Sequence, residues 1–167
     1  IAIKYCLEHP KKIRNLILIN PAGIMKKMPE KVILNMMLAQ FFKKSRFSKR
    51  LEKMLILQPH KIDVSWKKYV DAISRTKGAK RAFMLGKGRV VKRFHDTELQ
   101  QITCPTLIIW GEDDMLFPLE NAWRATDNIK YSKLKIIPGC GHMPPLEDPK
   151  YCSEIIIDFL YRNDQNP

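Results

Sequence analysis

The sequence predicts an α/β fold built on an open, mostly parallel sheet, and three observations carry that prediction. Short apolar runs of strand length recur at 16–19 (Leu-Ile-Leu-Ile), 106–110 (Thr-Leu-Ile-Ile-Trp) and 134–137 (Leu-Lys-Ile-Ile). Stretches with helical character stand between and after them, at 1–9, 119–128 and 149–161. Loops rich in glycine and proline follow the strand ends. Strands alternating with helices are the pattern of a parallel sheet joined by crossover helices. The right-handed crossover rule then brings the carboxyl ends of the strands to one shared rim, where open sheets bind ligands.

Each element follows from its residues. Over 1–9, Ile1, Tyr5, Cys6 and Leu7 suit one helix face, and Pro10 ends it. The run 16–19 is continuously apolar, as a strand buried on both faces must be. Asn20-Pro21-Ala22-Gly23 stops it as a loop. A basic stretch then reads as helices. Over 32–57, Ile33, Met36, Met37, Phe41, Phe47, Leu51, Leu55 and Ile56 recur at helical spacing, until Gln58-Pro59-His60 breaks the pattern. A second helix is expected over 64–76 and a third over 80–91, the latter weakened by Gly86 and Gly88. Such a stripe signifies packing and implies no cofactor. Pro105 introduces the strand 106–110, and Asp148-Pro149 starts the last helix, the carboxylate capping orphan N–H groups and proline suiting the first turn.

Composition sets the bounds. A chain of 167 residues with 45% hydrophobic residues can build a core, which excludes a disordered or low-complexity chain. No apolar run approaches the ~20 residues that span a bilayer. The net charge of +13 is unevenly placed: 24–98 holds 20 Lys and Arg against 6 Asp and Glu, and the rest holds 10 against 11. Two regions are therefore expected, a core of 1–23 with 99–167 and a helical, strongly basic insertion of 24–98. Cys6, Cys104, Cys140 and Cys152 form no C-x-x-C pair and match no zinc spacing, and Cys140 with His142 supplies too few ligands for a metal. Reduced thiols in a cytoplasmic protein are the expectation. The chain opens on Ile1 inside a helical pattern, which reads as a fragment of something longer.

Two loops follow predicted strand ends, 110–118 and 138–145. An acid on the first and a histidine on the second can meet on the rim, as a general base and the carboxylate that orients it. On pattern alone, an acidic turn beside a solvated or capping histidine explains the same residues. The sequence around them adds more. Gly111-x-x-Asp114-x-x-x-Pro118, after the strand Pro105-Thr-Leu-Ile-Ile-Trp110, resembles the acid segment of the α/β-hydrolases. Gly139-Cys-Gly-His142, followed by Glu147 and Pro149, resembles the family's histidine segment. Residues 1–23 resemble the helix and strand after its nucleophile elbow, and 24–98 falls where many members carry a helical cap. Acid precedes histidine, as in the family.

The resemblance implies Asp114 and His142 as catalytic residues. Gly plus three and Pro minus four both select Asp114 over Asp113. Phe117 and Met143 are implied as lining an acyl or leaving-group pocket, with ordinary rim packing as the alternative, and Glu147 is read as structural. No G-x-S-x-G occurs, and Ser45, Ser48, Ser65, Ser74, Ser132 and Ser153 lack the glycine context. The resemblance therefore implies a nucleophile a few residues before Ile1 and a fragment inactive by itself. A serine there implies cleavage of an ester or related carbonyl or C–C bond in a small-molecule substrate; an aspartate implies dehalogenase or epoxide-hydrolase chemistry. No metal or organic cofactor is implied. The alternative is a non-catalytic, hydrolase-like binding protein whose basic 24–98 contacts an anionic membrane surface or nucleic acid. Sparse aromatics and the absence of a binding motif argue against nucleic acid. Nothing in the sequence sets an oligomeric state.

Overall fold

In the computed structural model, which describes residues 1–25, 30–31, 34, 53–74, 76–78, 81 and 93–164, the three apolar runs pair as one parallel sheet. Strand β1 (Leu16–Ile19) pairs with β2 (Thr106–Gly111), and β2 with β3 (Ser132–Ile137), in the order β1-β2-β3. Leu16 stands opposite Thr106 and Thr106 opposite Ser132, so the three strands start level. Gly111 and Ile137 pair at the far end, where the rim lies.

Central β2 is buried at every position, because each face of the sheet carries helices. Its side chains alternate between two cores. Ile108 and Trp110 join Ile3 and Cys6 of α1 (Ala2–Glu8), Leu99 of α3 (Asp96–Leu99), and Ala122 and Ala125 of α4 (Glu120–Asn128). Leu107 and Ile109 join Ile137 with Cys152, Ile155 and Phe159 of α6 (Pro149–Asp164). Asp148 caps α6 as its sequence predicts, Oδ1 accepting the Tyr151 N–H at 3.1 Å. Strand β3 begins two residues earlier than expected. Lys133 and Lys135 are exposed on it, and lysines on a strand at the edge of a sheet discourage pairing with other chains.

Helix α2 (Val64–Ser74) lies within the predicted 64–76, and residues 53–55 are helical. Most of the helix expected over 32–57, and nearly all of that over 80–91, lie outside the described residues. The chain leaves and rejoins the core at adjacent points: the Phe94 N–H donates to the Gly23 carbonyl at 2.9 Å. Arg124 of α4 locks this crossing, donating to the Ile24 carbonyl and, at 3.0 Å, to the Phe94 carbonyl. Among the described residues, no helix is long and apolar enough to cross a membrane.

All four cysteines are buried and none is in a disulfide. The sulfurs of Cys6 and Cys104 lie 3.5 Å apart. Burial, reinforced by Cys104, pushes the Cys6 thiol from 9.0 up to about 12. Burial, with Cys140 and Asp148 nearby, pushes Cys152 to about 11. Both thiols are therefore held neutral in the folded chain, and their contribution to stability is full below 9.0 and lost as pH rises from there through the folded values. A chromogenic disulfide reagent at pH 8 is expected to reach Cys6 and Cys152 only on unfolding. The urea midpoint is expected to fall from pH 9 upward, less steeply in Cys6→Ala. Rapid labelling of either residue in the folded protein would contradict this.

Candidate active site

The site is assembled where the loops after β2 and β3 meet. Glu112 donates its N–H to the Ile137 carbonyl at 3.0 Å, and Asp113 donates its own to the Cys140 carbonyl at 3.0 Å. These bonds sew the acid loop onto the end of the neighbouring strand. Gly111 makes the closeness achievable: a Cβ there would fall 2.0 Å from the Gly141 carbonyl oxygen and 2.5 Å from that of Cys140. Gly139 turns the histidine loop with φ 65°, a conformation glycine adopts without strain.

Asp114 is buried, and its side chain is 0% exposed. A buried carboxylate is costly unless donors surround it. Oδ1 accepts the N–H groups of Leu116 at 2.8 Å and Phe117 at 2.9 Å. Oδ2 lies 2.9 Å from Nδ1 of His142 and also accepts from the side-chain amide of Asn20. Asp113, one residue earlier, is exposed. The structure thus brings together the two residues selected from the sequence and separates them from the competing aspartate. With Nδ1 held by the carboxylate, Nε2 is the ring nitrogen left to exchange a proton.

Phe117 is buried, its ring edge-on to the imidazole with centroids 4.6 Å apart. It braces His142. Met143 is half-buried at the start of α5 (Pro144–Glu147), a helical turn whose first two residues fall in the loop expected over 138–145. Prolines at its first positions explain the miss, since proline breaks helix interiors yet suits a first turn.

Glu147 is buried and clamps the histidine loop. Its Oε1 accepts the Gly141 N–H at 2.9 Å, and its Oε2 accepts those of Leu57 at 2.8 Å and Gln58 at 3.1 Å. Gln58 returns the contact, its side-chain amide donating to the Gly139 carbonyl at 2.7 Å. The structural reading of Glu147 fits this geometry. The sequence marks Asn20 as the start of a loop and Gln58 as the start of a helix break, and neither mark points to the site. The usable signal for Asn20 was an amide directly after a buried strand, at a rim position. Among the described residues, no group of three or more His, Cys, Asp and Glu is placed to hold a metal ion.

A parallel sheet carrying an acid and a histidine on successive rim loops defines the class of the α/β-hydrolases. Residues 1–149 match the model of the family described as serine aminopeptidase, S33, and the chain belongs to that α/β-hydrolase family. Similar proteins include a 2-hydroxy-6-oxononadienedioate/2-hydroxy-6-oxononatrienedioate hydrolase of Cupriavidus pinatubonensis, 37% identical over 41% of this chain and 25% of that one. Monoacylglycerol lipase ABHD6 of Mus musculus is 32% identical over 37% of this chain and 18% of its own. The fold matches the meta-cleavage product hydrolase CumD of Pseudomonas fluorescens IP01, with TM-score 0.79 at 18% identity over 96% of this chain and 60% of that one. It also matches a membrane phospholipase A described as a bacterial virulence factor, with TM-score 0.78 at 22% identity over 100% and 55%. The chain therefore spans about 60% of the first of these solved structures, and its alignment covers about a quarter of the Cupriavidus pinatubonensis hydrolase.

Proposed function

We propose that this chain forms the acid–histidine part of a serine hydrolase that cleaves an ester, or a related carbonyl or C–C bond, in a small molecule. The observation that carries the reading is the 2.9 Å contact between Oδ2 of Asp114 and Nδ1 of His142. In this mechanism Nε2 of His142 removes the proton of a serine hydroxyl as the oxygen attacks the substrate carbonyl. Asp114 stabilises the imidazolium that results, and the imidazolium then protonates the leaving group. Water, activated by the same nitrogen, releases the acyl group in the second half. The serine belongs to a segment preceding residue 1, since none of the serines in these 167 residues has the elbow's glycine context. The names of the 2-hydroxy-6-oxononadienedioate hydrolase and the monoacylglycerol lipase support a small carbonyl or ester substrate. Phe117 and Met143 border the reacting groups.

The test uses the full-length protein, a short-chain aryl ester and a fluorophosphonate probe that labels activated serines. Turnover is expected, abolished by the probe, with the label mapped by mass spectrometry to a peptide before Ile1. Labelling inside 1–167, or turnover indifferent to the probe, would overturn the assignment.

A further inference from the structure

We infer that Asn20 is a positioning residue for the acid–histidine pair: its side-chain amide holds Asp114 so that Oδ2 faces Nδ1 of His142. The inference rests on the catalytic reading of that pair and adds a member from a third strand end. Asn20 is the residue directly after β1, buried to 3% exposure, and its own N–H continues the sheet by donating to the Ile109 carbonyl at 3.0 Å. Its φ of 39° lies in the left-handed region, which asparagine, aspartate and glycine tolerate and branched residues do not. The turn aims the side chain across the rim at the neighbouring strand's end.

Both ends of the amide are used. Oδ1 accepts the Gly111 N–H at 3.2 Å, and Nδ2 donates to Oδ2 of Asp114. The partners fix which end is which, because an N–H must face an acceptor and a carboxylate oxygen must face a donor. On Asp114, the Oδ1 side is occupied by two backbone N–H groups. Among the described residues, Oδ2 is met by the amide and the imidazole. Asn20 therefore sets the carboxylate's position along the direction in which His142 uses it. Without the amide, the imidazole is the only side chain among the described residues that holds that oxygen.

A purely structural role would run through the Gly111 N–H alone, and the two roles separate by substitution. Asn20→Asp keeps the size, the tolerance for this φ and the oxygen that accepts from Gly111. It replaces only the donor that faces Asp114 by an acceptor. Two carboxylates so placed share a proton at low pH, which restores the hydrogen bond, and repel once it is lost. Asn20→Gly keeps the backbone conformation and removes the side chain.

The experiment measures kcat and KM against pH for the full-length protein and both variants. It also records the low-field proton resonance of the His142 Nδ1–H, which reads the pair with no substrate present. Asn20→Gly is expected to lower kcat by about 10- to 100-fold, the range for a hydrogen bond to a charged group, with KM nearly unchanged. Asn20→Asp is expected to add a descending arm at higher pH that the wild type lacks. In both, the resonance shifts or broadens. If Asn20→Asp follows the wild type at every pH, the inference is overturned. If the wild type itself shows no turnover, the hydrolase reading fails, and the resonance decides the placement of Asp114: displaced in Asn20→Gly supports it, unchanged overturns it.

Discussion

Asp114→Asn in the full-length protein is expected to lower kcat by about 10⁴, the loss seen for the matching change in a serine protease. The amide that replaces the carboxylate can present an N–H to Nδ1, which forces the ring proton onto Nε2 and removes the base. Asp113→Asn serves as the control. Asp113 is exposed, and the hydrogen bond that ties it down runs from its backbone N–H to the Cys140 carbonyl, so kcat should stay within about twofold. His142→Ala is expected to be at least as damaging as Asp114→Asn. Steady-state kinetics on the three variants decide the matter, and a severe Asp113→Asn beside a mild Asp114→Asn would show the acid to be misassigned.

The second large effect is on stability. Gly111→Ala places a methyl group against two backbone carbonyls, those of Gly141 and Cys140, and neither is the yielding end of a side chain. Forcing atoms into such a contact costs about 3 kcal/mol or more. The acid and histidine loops must part to admit it, so activity falls with stability. Gly78→Ala is the companion measurement: a Cβ there meets nothing within 4 Å, and little change is expected. Urea midpoints at constant m-value compare the two. Equal midpoints would mean that the loops part without cost and that the contact does not hold the site together.

What could be read in advance follows a physical division. Strands β1 and β2 were legible because burial on both faces leaves an unbroken apolar run. Strand β3 was legible only at its apolar end, since Ser132 and Lys133 start a strand whose other face meets solvent. Asp114 and His142 were legible through glycine and proline, whose spacing records backbone geometry around the site. Asn20 was not. Its role depends on β1 lying beside β2, a pairing between residues 94 apart in sequence, and no local pattern encodes which strand will be the neighbour. The clamp from Glu147 to Leu57 and Gln58 was hidden for the same reason, being formed across 89 and 90 positions. Gln58 carried a break signal, and what it touches after the break is decided by tertiary structure.

The hydrogen bond from Phe94 to Gly23, fastened by Arg124, bears on how such a protein changes over evolutionary time. The stretch between those two residues starts and finishes at one spot on the core, and it is tied down once in between, where Leu57 and Gln58 donate to Glu147. Lengthening a loop whose ends are already fixed costs little, about 0.6 kcal/mol per doubling. Length can therefore be added within that stretch at little cost to the core, provided that Leu57 and Gln58 keep their hold on the histidine loop.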